Sequence, residues 1–213
     1  MRYTFCFIFF LTLFSCGNKK VVQLPEIENA SITEVLDVSP IYMFYDEETD
    51  SIEFNRKNMI GSTNWLVNID KRLTLKQVLP HLQYLHEKRH GDGMHKNEKA
   101  KNYFTCHDTS INNLGFIEFT DVVYHTGKVE SLSEELFEDA IVLDFSSNSI
   151  NLEKTINDLR NISQSPTGFH PQKNHFVLKF KKTITFQNYI SIKSILSELD
   201  IENLAISNNE FIY

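Results

Sequence analysis

His86, Glu87 and His90 have the types and the spacing that zinc hydrolysis uses. Residues four apart on a helix share a face. Both imidazoles can therefore ligate one metal while the Glu87 carboxylate takes a proton from bound water. The intervening Lys88 and Arg89 argue the other way, because unpaired charges inside a packed metal-binding helix are costly. The motif also falls beside Gly91-Asp92-Gly93, where a helix ends and basic residues are favoured by its dipole. Spacing places no third ligand; Glu98 and His107 are the remaining donors to consider. The expectation is a solvated helix terminus with no metal, no cofactor and no catalytic residue. The alternative is a zinc-dependent hydrolase using His86 and His90 as ligands and Glu87 as base.

A second chemical feature is Cys16. It follows a basic start, Met1-Arg2, and an apolar run over residues 5–14, too short to span a bilayer stably. The ending Leu13-Phe14-Ser15-Cys16 resembles the lipobox of bacterial lipoproteins. The resemblance implies cleavage before Cys16, a signal peptide over 1–15 and a diacylglycerol on the new terminal thiol. Membrane attachment is then through that lipid. The following Gly17-Asn-Lys-Lys-Val-Val lacks the acidic run that sends some lipoproteins to the cell surface. The expected location is the cell envelope, on the inner face of the outer membrane and facing the periplasm. By comparison, Gly93 and His95 only approach the longer metzincin pattern, whose third histidine would fall at position 96, where Lys96 stands.

The formal charge of −7, from 21 basic and 28 acidic residues, comes without a concentrated basic stripe. That excludes the usual electrostatics of nucleic-acid binding. With Cys6 in the signal and Cys16 acylated, Cys106 is the last of the three cysteines. No disulfide can then form within the mature chain, and the fold must rest on its hydrophobic core. Cys106 lies in an alternating run and is expected to be buried and inert. Neither a Gly-x-Ser-x-Gly elbow nor a phosphate-cradling glycine loop is present.

These features must be carried by an α+β scaffold. Residues 16–34 are polar and aperiodic and are expected to be a tether. Two β-like runs over 41–46 and 51–55 flank Glu-Glu-Thr-Asp and predict a hairpin. A strand over 65–69 precedes a helix opened by a Thr74/Gln77 capping box, with Val78, Leu79, Leu82 and Leu85 on one face and Pro80 as an irregularity. Strands follow over 103–106 and 115–119. The acidic residues of 126–137 mark a boundary. The chain thus divides into a first α+β unit, 35–125, a linker, 126–137, and a second unit, 138–213, expected to bury most of its own core. In that second unit the pattern predicts strands over 141–145 and 150–152 and a helix over 153–163. A proline-containing loop then leads to a strand over 175–180 and a helix over 187–199. Short strands over 204–207 and 211–213 close the chain.

The two units echo one another. Asn68-Ile-Asp-Lys-Arg-Leu-Thr-Leu-Lys-Gln-Val-Leu aligns with Lys179-Phe-Lys-Lys-Thr-Ile-Thr-Phe-Gln-Asn-Tyr-Ile, matching Leu73 with Ile184, Thr74 with Thr185, Leu75 with Phe186 and Leu79 with Ile190. Each reads as a strand turning tightly into a capped helix, and the repetition suggests an internal duplication. From Ile141 to Tyr213 the element order resembles the periplasmic domain of ExbD/TolR proteins, parts of proton-driven envelope motors. Phe186 takes the family's aromatic place and Lys181 replaces its Asp, whereas Asp70 holds that place in the first unit. The family's proton-conducting helix has no counterpart in the chain. The resemblance therefore implies self-association and docking to envelope proteins, in a lipid-anchored scaffold rather than an enzyme.

Overall fold

The computed structural model describes residues 20–91, 97–126, 140–148, 175–198 and 205–213. The lipobox-like stretch with Cys16, the linker residues after Thr126, and the strand, helix and proline loop expected between 150 and 174 lie outside them. The order is β1 (Glu26–Ile27), β2 (Val38–Asp46), β3 (Ser51–Asn55), β4 (Asn64–Ile69), α1 (Leu75–His90), β5 (Asn102–Asp108), β6 (Asn113–Glu118) and β7 (Val123–Thr126). Then follow β8 (Ala140–Phe145), β9 (His175–Phe180), α2 (Phe186–Glu198) and β10 (Ala205–Ile212). The architecture is α+β, with two sheets whose strands are mostly parallel.

The first sheet runs β1-β5-β4-β2-β3, and β6 also pairs with β5. Period-two patterning fixes its register. Trp65, Val67 and Ile69 of β4 point inward, as do Ile41 and Met43 of β2, and Ile41 lies beside Val67 and Met43 beside Ile69. β2 and β3 form the expected hairpin. β5 is buried along nearly its whole length, as a strand covered on both faces must be. Phe104 on it stacks against Phe119 with ring centroids 3.8 Å apart.

The second sheet runs β7-β10-β9-β8, all parallel. β10 is one strand rather than the two short ones the pattern suggests. A register shift between Ile206 and Glu210 absorbs Ser207-Asn208-Asn209, where Ser207 Oγ accepts the Asn209 amide at 3.1 Å. β7, at the end of the first unit by sequence, is hydrogen-bonded in this second sheet.

The same element set occurs twice. β2-β4-β5 with α1 after the middle strand matches β8-β9-β10 with α2 after its middle strand. The echoing turns meet face to face. Thr74 and Thr185 form an antiparallel bridge, the Leu75 amide donates to the Ile184 carbonyl, and the Phe186 amide donates to the Leu73 carbonyl. Lys76 N–H reaches the Lys182 carbonyl just as Gln187 N–H reaches the Lys71 carbonyl. Exchanging the two units reproduces all these bonds, which is the signature of a pseudo-two-fold axis. Physically, each helix opens with amides that have no partner within the helix, and here the other unit's turn supplies the carbonyls. The capping box adds Gln77 Oε1, which accepts the Thr74 amide at 2.8 Å. α1 runs on through Pro80.

One hydrophobic cluster joins the two sheets. It holds Ile41, Trp65, Leu82 and Phe104 together with Phe176, Phe180, Phe186 and Tyr189. Phe104 of β5 meets Phe186 and Tyr189 of α2 edge to face, at 5.3 and 6.1 Å. Among the described residues the second unit shares this cluster with the first, and Ala140, Val177 and Phe211 form a small separate cluster within it.

The stretch expected to be a tether is docked from Gln23 onward. Asp70 accepts the Gln23 amide, His107 N–H donates to the Pro25 carbonyl, and Ile27 is buried beside β5. Ile32 bridges to Phe116. Its apolar residues are too sparse to show a period; Pro25 and Ile27 are buried, and backbone and side-chain bonds along the segment seat it.

Candidate functional site

Two places gather chemically competent side chains: the end of α1, and the seam around the pseudo-two-fold axis. At the end of α1, His86 and His90 lie on one face as the spacing requires, with ring centroids 4.2 Å apart and planes 29° from parallel. They are stacked. His90 Nδ1 meets the carbonyl of His86 at 3.0 Å, a bond along its own helix, and Nε2 lies 3.3 Å from Asp121. Burial lowers the His86 pKa, and the neighbouring His90 pushes the same way. Glu87 and Lys88 are exposed. Among the described residues, no group of three or more His, Cys, Asp or Glu converges. His107 is engaged elsewhere, with Asn112.

Arg89 overturns part of the argument for a wet turn. It is only 5% exposed. Its Nε donates to Asn102 at 2.8 Å and its Nη atoms to the carbonyls of Gly61 and Thr63 at 3.0 Å each. The guanidinium lies over the ring of Trp65. Three oxygen acceptors and the Trp65 ring offset the burial of the charge, so this residue is a buried strut, and of the pair Lys88-Arg89 only Lys88 is wet.

Cys106 is a free, buried thiol whose pKa is raised by burial. Cys16 lies outside the described residues.

The seam is built by the two turns. On one side of the axis β1 is cradled. Gln187 accepts the Glu26 amide through Oε1 and returns Nε2–H to the Glu26 carbonyl, both at 2.9 Å. Lys71 Nζ holds the Glu26 carboxylate at 2.6 Å and keeps it below the usual carboxylate range. On the other side a groove of roughly 460 Å3 opens between α1 and the end of β10. Lys76 and Lys182 flank it, and Leu79, Pro80, Ile212 and Tyr213 form much of its wall.

No family model, curated protein or solved structure matches this chain. What it does must therefore be argued from these two places and from the repeated unit. The seam went unread in the sequence. The echo does place Lys182 level with Lys71, and Lys76 level with Gln187. Only the antiparallel meeting of the turns gives those equivalences a spatial meaning.

Proposed function

We propose that this protein is a lipid-anchored interaction module of the cell envelope, held through Cys16 and related to the soluble domain of ExbD/TolR-type proteins. The observation that carries the reading is the reciprocal seam. A unit whose family resemblance implies self-association occurs twice, and its two copies cap one another's helices. The product is an internal pair made within one chain. No described helix is long and apolar enough to cross a membrane; the proposed anchor is the acyl chain on Cys16.

The test is crosslinking and capture from native membranes, comparing the native chain with Cys16→Ala. The native chain should fractionate with membranes, carry an acylated amino terminus and yield defined envelope proteins. Cys16→Ala should be released or stalled as a precursor. A Cys16→Ala chain that stays membrane-bound with an acylated terminus would sink the anchor. Protease shaving of whole cells that removes the protein would sink the periplasm-facing location.

A further inference from the structure

The amino-terminal segment reaches the fold on one face of the first sheet. Lys20 pairs with the Glu53 carboxylate of β3. Glu53 points away from the core, because Ile52 and Phe54 on either side of it pack against the core cluster. Three residues on, Gln23 is bonded through its backbone to the Asp70 carboxylate and the Lys71 amide. The chain therefore comes in over the outward side of β2 and β3. Lys20 stands four positions after Cys16, a reach of at most about 14 Å. That side of the sheet is apolar. Alternation along β2 turns Ile41 and Met43 inward and Val38, Pro40, Tyr42 and Phe44 outward. The Tyr42 and Phe44 rings stack with centroids 5.6 Å apart, and Leu66 of β4 lies beside Pro40 in the same layer. Val38, Tyr42, Phe44 and Leu66 all stand outside the core cluster. Leu36, just before β2, and Val21, beside Lys20, are 71% and 72% exposed. The polar groups on this side are paired or neutral. Glu53 has Lys20, Asn68 donates to the Ile41 and Leu66 carbonyls, and Asn64 donates to the Leu36 carbonyl and accepts the Lys101 amide.

We infer that the outward face of β2 and β4 rests on the lipid bilayer that holds the acyl chain, with Tyr42 and Phe44 at the lipid–water boundary. The inference rests on the lipid-anchored reading. The short tether selects the occupant: it keeps the acylated residue within about 14 Å of Lys20, at the border of this face. The chemistry agrees. Tyrosine rings settle at the headgroup level of membranes, an exposed apolar patch marks a contact surface, and apolar area buried at the interface adds to the hold of an acyl chain.

The experiment uses the processed full chain in vesicles of phosphatidylethanolamine and phosphatidylglycerol, with and without bromine on the lipid tails. Trp65 is the single tryptophan and is buried, so the native chain supplies the background emission. Phe44→Trp adds a reporter on the face, and Val142→Trp adds one on β8 in the second sheet, at an exposed position. Both variants are used with thermal midpoints matching the native chain. Brominated lipid should at least halve the added emission at position 44 and leave that at 142 unchanged. Flotation and the mass of the amino-terminal peptide report the anchor separately. A chain that floats and is acylated but shows no quenching at 44 overturns the face and leaves the anchor standing. Quenching at 44 in a chain that floats without acylation keeps the face and removes the anchor. Absence of flotation overturns both. Equal quenching at 44 and 142 would mean lipid contact without a preferred face, and overturns the inference. Disulfide-linked pairs of a Tyr42→Cys variant, found without quenching at 44, would give the face to a second copy, with the same consequence.

Discussion

The guanidinium carbon of Arg89 lies 3.7 Å from the ring centroid of Trp65, inside the first unit's core. The contact is a desolvated cation–π pair, worth about 2 kcal/mol in such settings. Removing the side chain also strands the Asn102 amide oxygen and the carbonyls of Gly61 and Thr63. Arg89→Ala should therefore cost about 3 kcal/mol or more in urea denaturation, and Arg89→Lys less. Lys88→Ala and Glu87→Gln, at exposed positions of the same turn, should stay within about 0.5 kcal/mol. Equal effects at 88 and 89 would contradict the buried-strut assignment.

Burial lowers the pKa of both His81 and His86; His90 adds to the shift at His86 and Arg56 at His81, while Asp121 and Glu87 oppose it at His86. The unfolded chain then takes up protons first as pH drops below about 6.5. The stabilising contribution is complete above that value and is lost as pH falls through the lower folded-state values. Urea midpoints of the native chain should decline between pH 7.5 and 5.5. In a His81→Gln, His86→Gln variant the decline should be shallower, and an unaltered slope would refute the assignment.

The hairpin, β4, α1 and α2 were legible because each carries its own period and its own start signal: alternation at Trp65, Val67 and Ile69, and Thr74 with Gln77 before a helical stripe. What remained hidden depends on partners distant in sequence. Arg89 counts as a charge until Trp65 and three oxygen acceptors enclose it. β1 and β7 are short strands whose pairing, to β5 and β10, is set by backbone bonds that no side-chain pattern announces. The seam is the clearest case. The echo reveals two similar turns, and nothing in either shows that they cap each other.

Docking of the amino-terminal segment has a steric signature at Gly115. A Cβ there would come within 2.5 Å of Ala30 Cβ and 3.1 Å of Ile27 Cδ1. Gly115→Ala should push this segment off β5 and β6, at a cost of about 1–3 kcal/mol. Limited proteolysis should then cut between residues 20 and 34 before the rest of the chain. Unchanged stability together with native-like cleavage would show that these residues are a tether after all.

Lys193 and Glu210 form a nearly enclosed ion pair at 2.6 Å, with the other Glu210 oxygen accepting from Tyr189 at 2.8 Å. Glu210 is fully buried and the Lys193 side chain is 12% exposed. Breaking such a pair leaves a charge without its partner and costs about 3–5 kcal/mol. Lys193→Met should lose stability on that scale. Lys193→Met with Glu210→Gln should regain much of it, since the remaining amide can still accept from Tyr189. A double variant as unstable as the single one would mean that the pair contributes beyond neutralising itself.

The shared core makes the seam a condition for folding. A fragment of residues 138–213 lacks β7, which pairs along β10, and lacks Phe104, which covers Phe186 and Tyr189. It also loses the carbonyls of Lys71 and Leu73 that cap the first amides of α2. Circular dichroism of this fragment should show no cooperative unfolding transition, although its length is within the range of small autonomous domains. A fragment of residues 120–213, with β7 restored, should gain structure but remain well short of the full chain, because its aromatic core is still open on the β5 side. The full chain should unfold in one transition, with the fluorescence of Trp65 in the first unit and the far-ultraviolet signal coinciding. Two separate transitions, or a cooperatively folded 138–213 fragment, would show that each unit holds its own core and that the seam joins two finished domains.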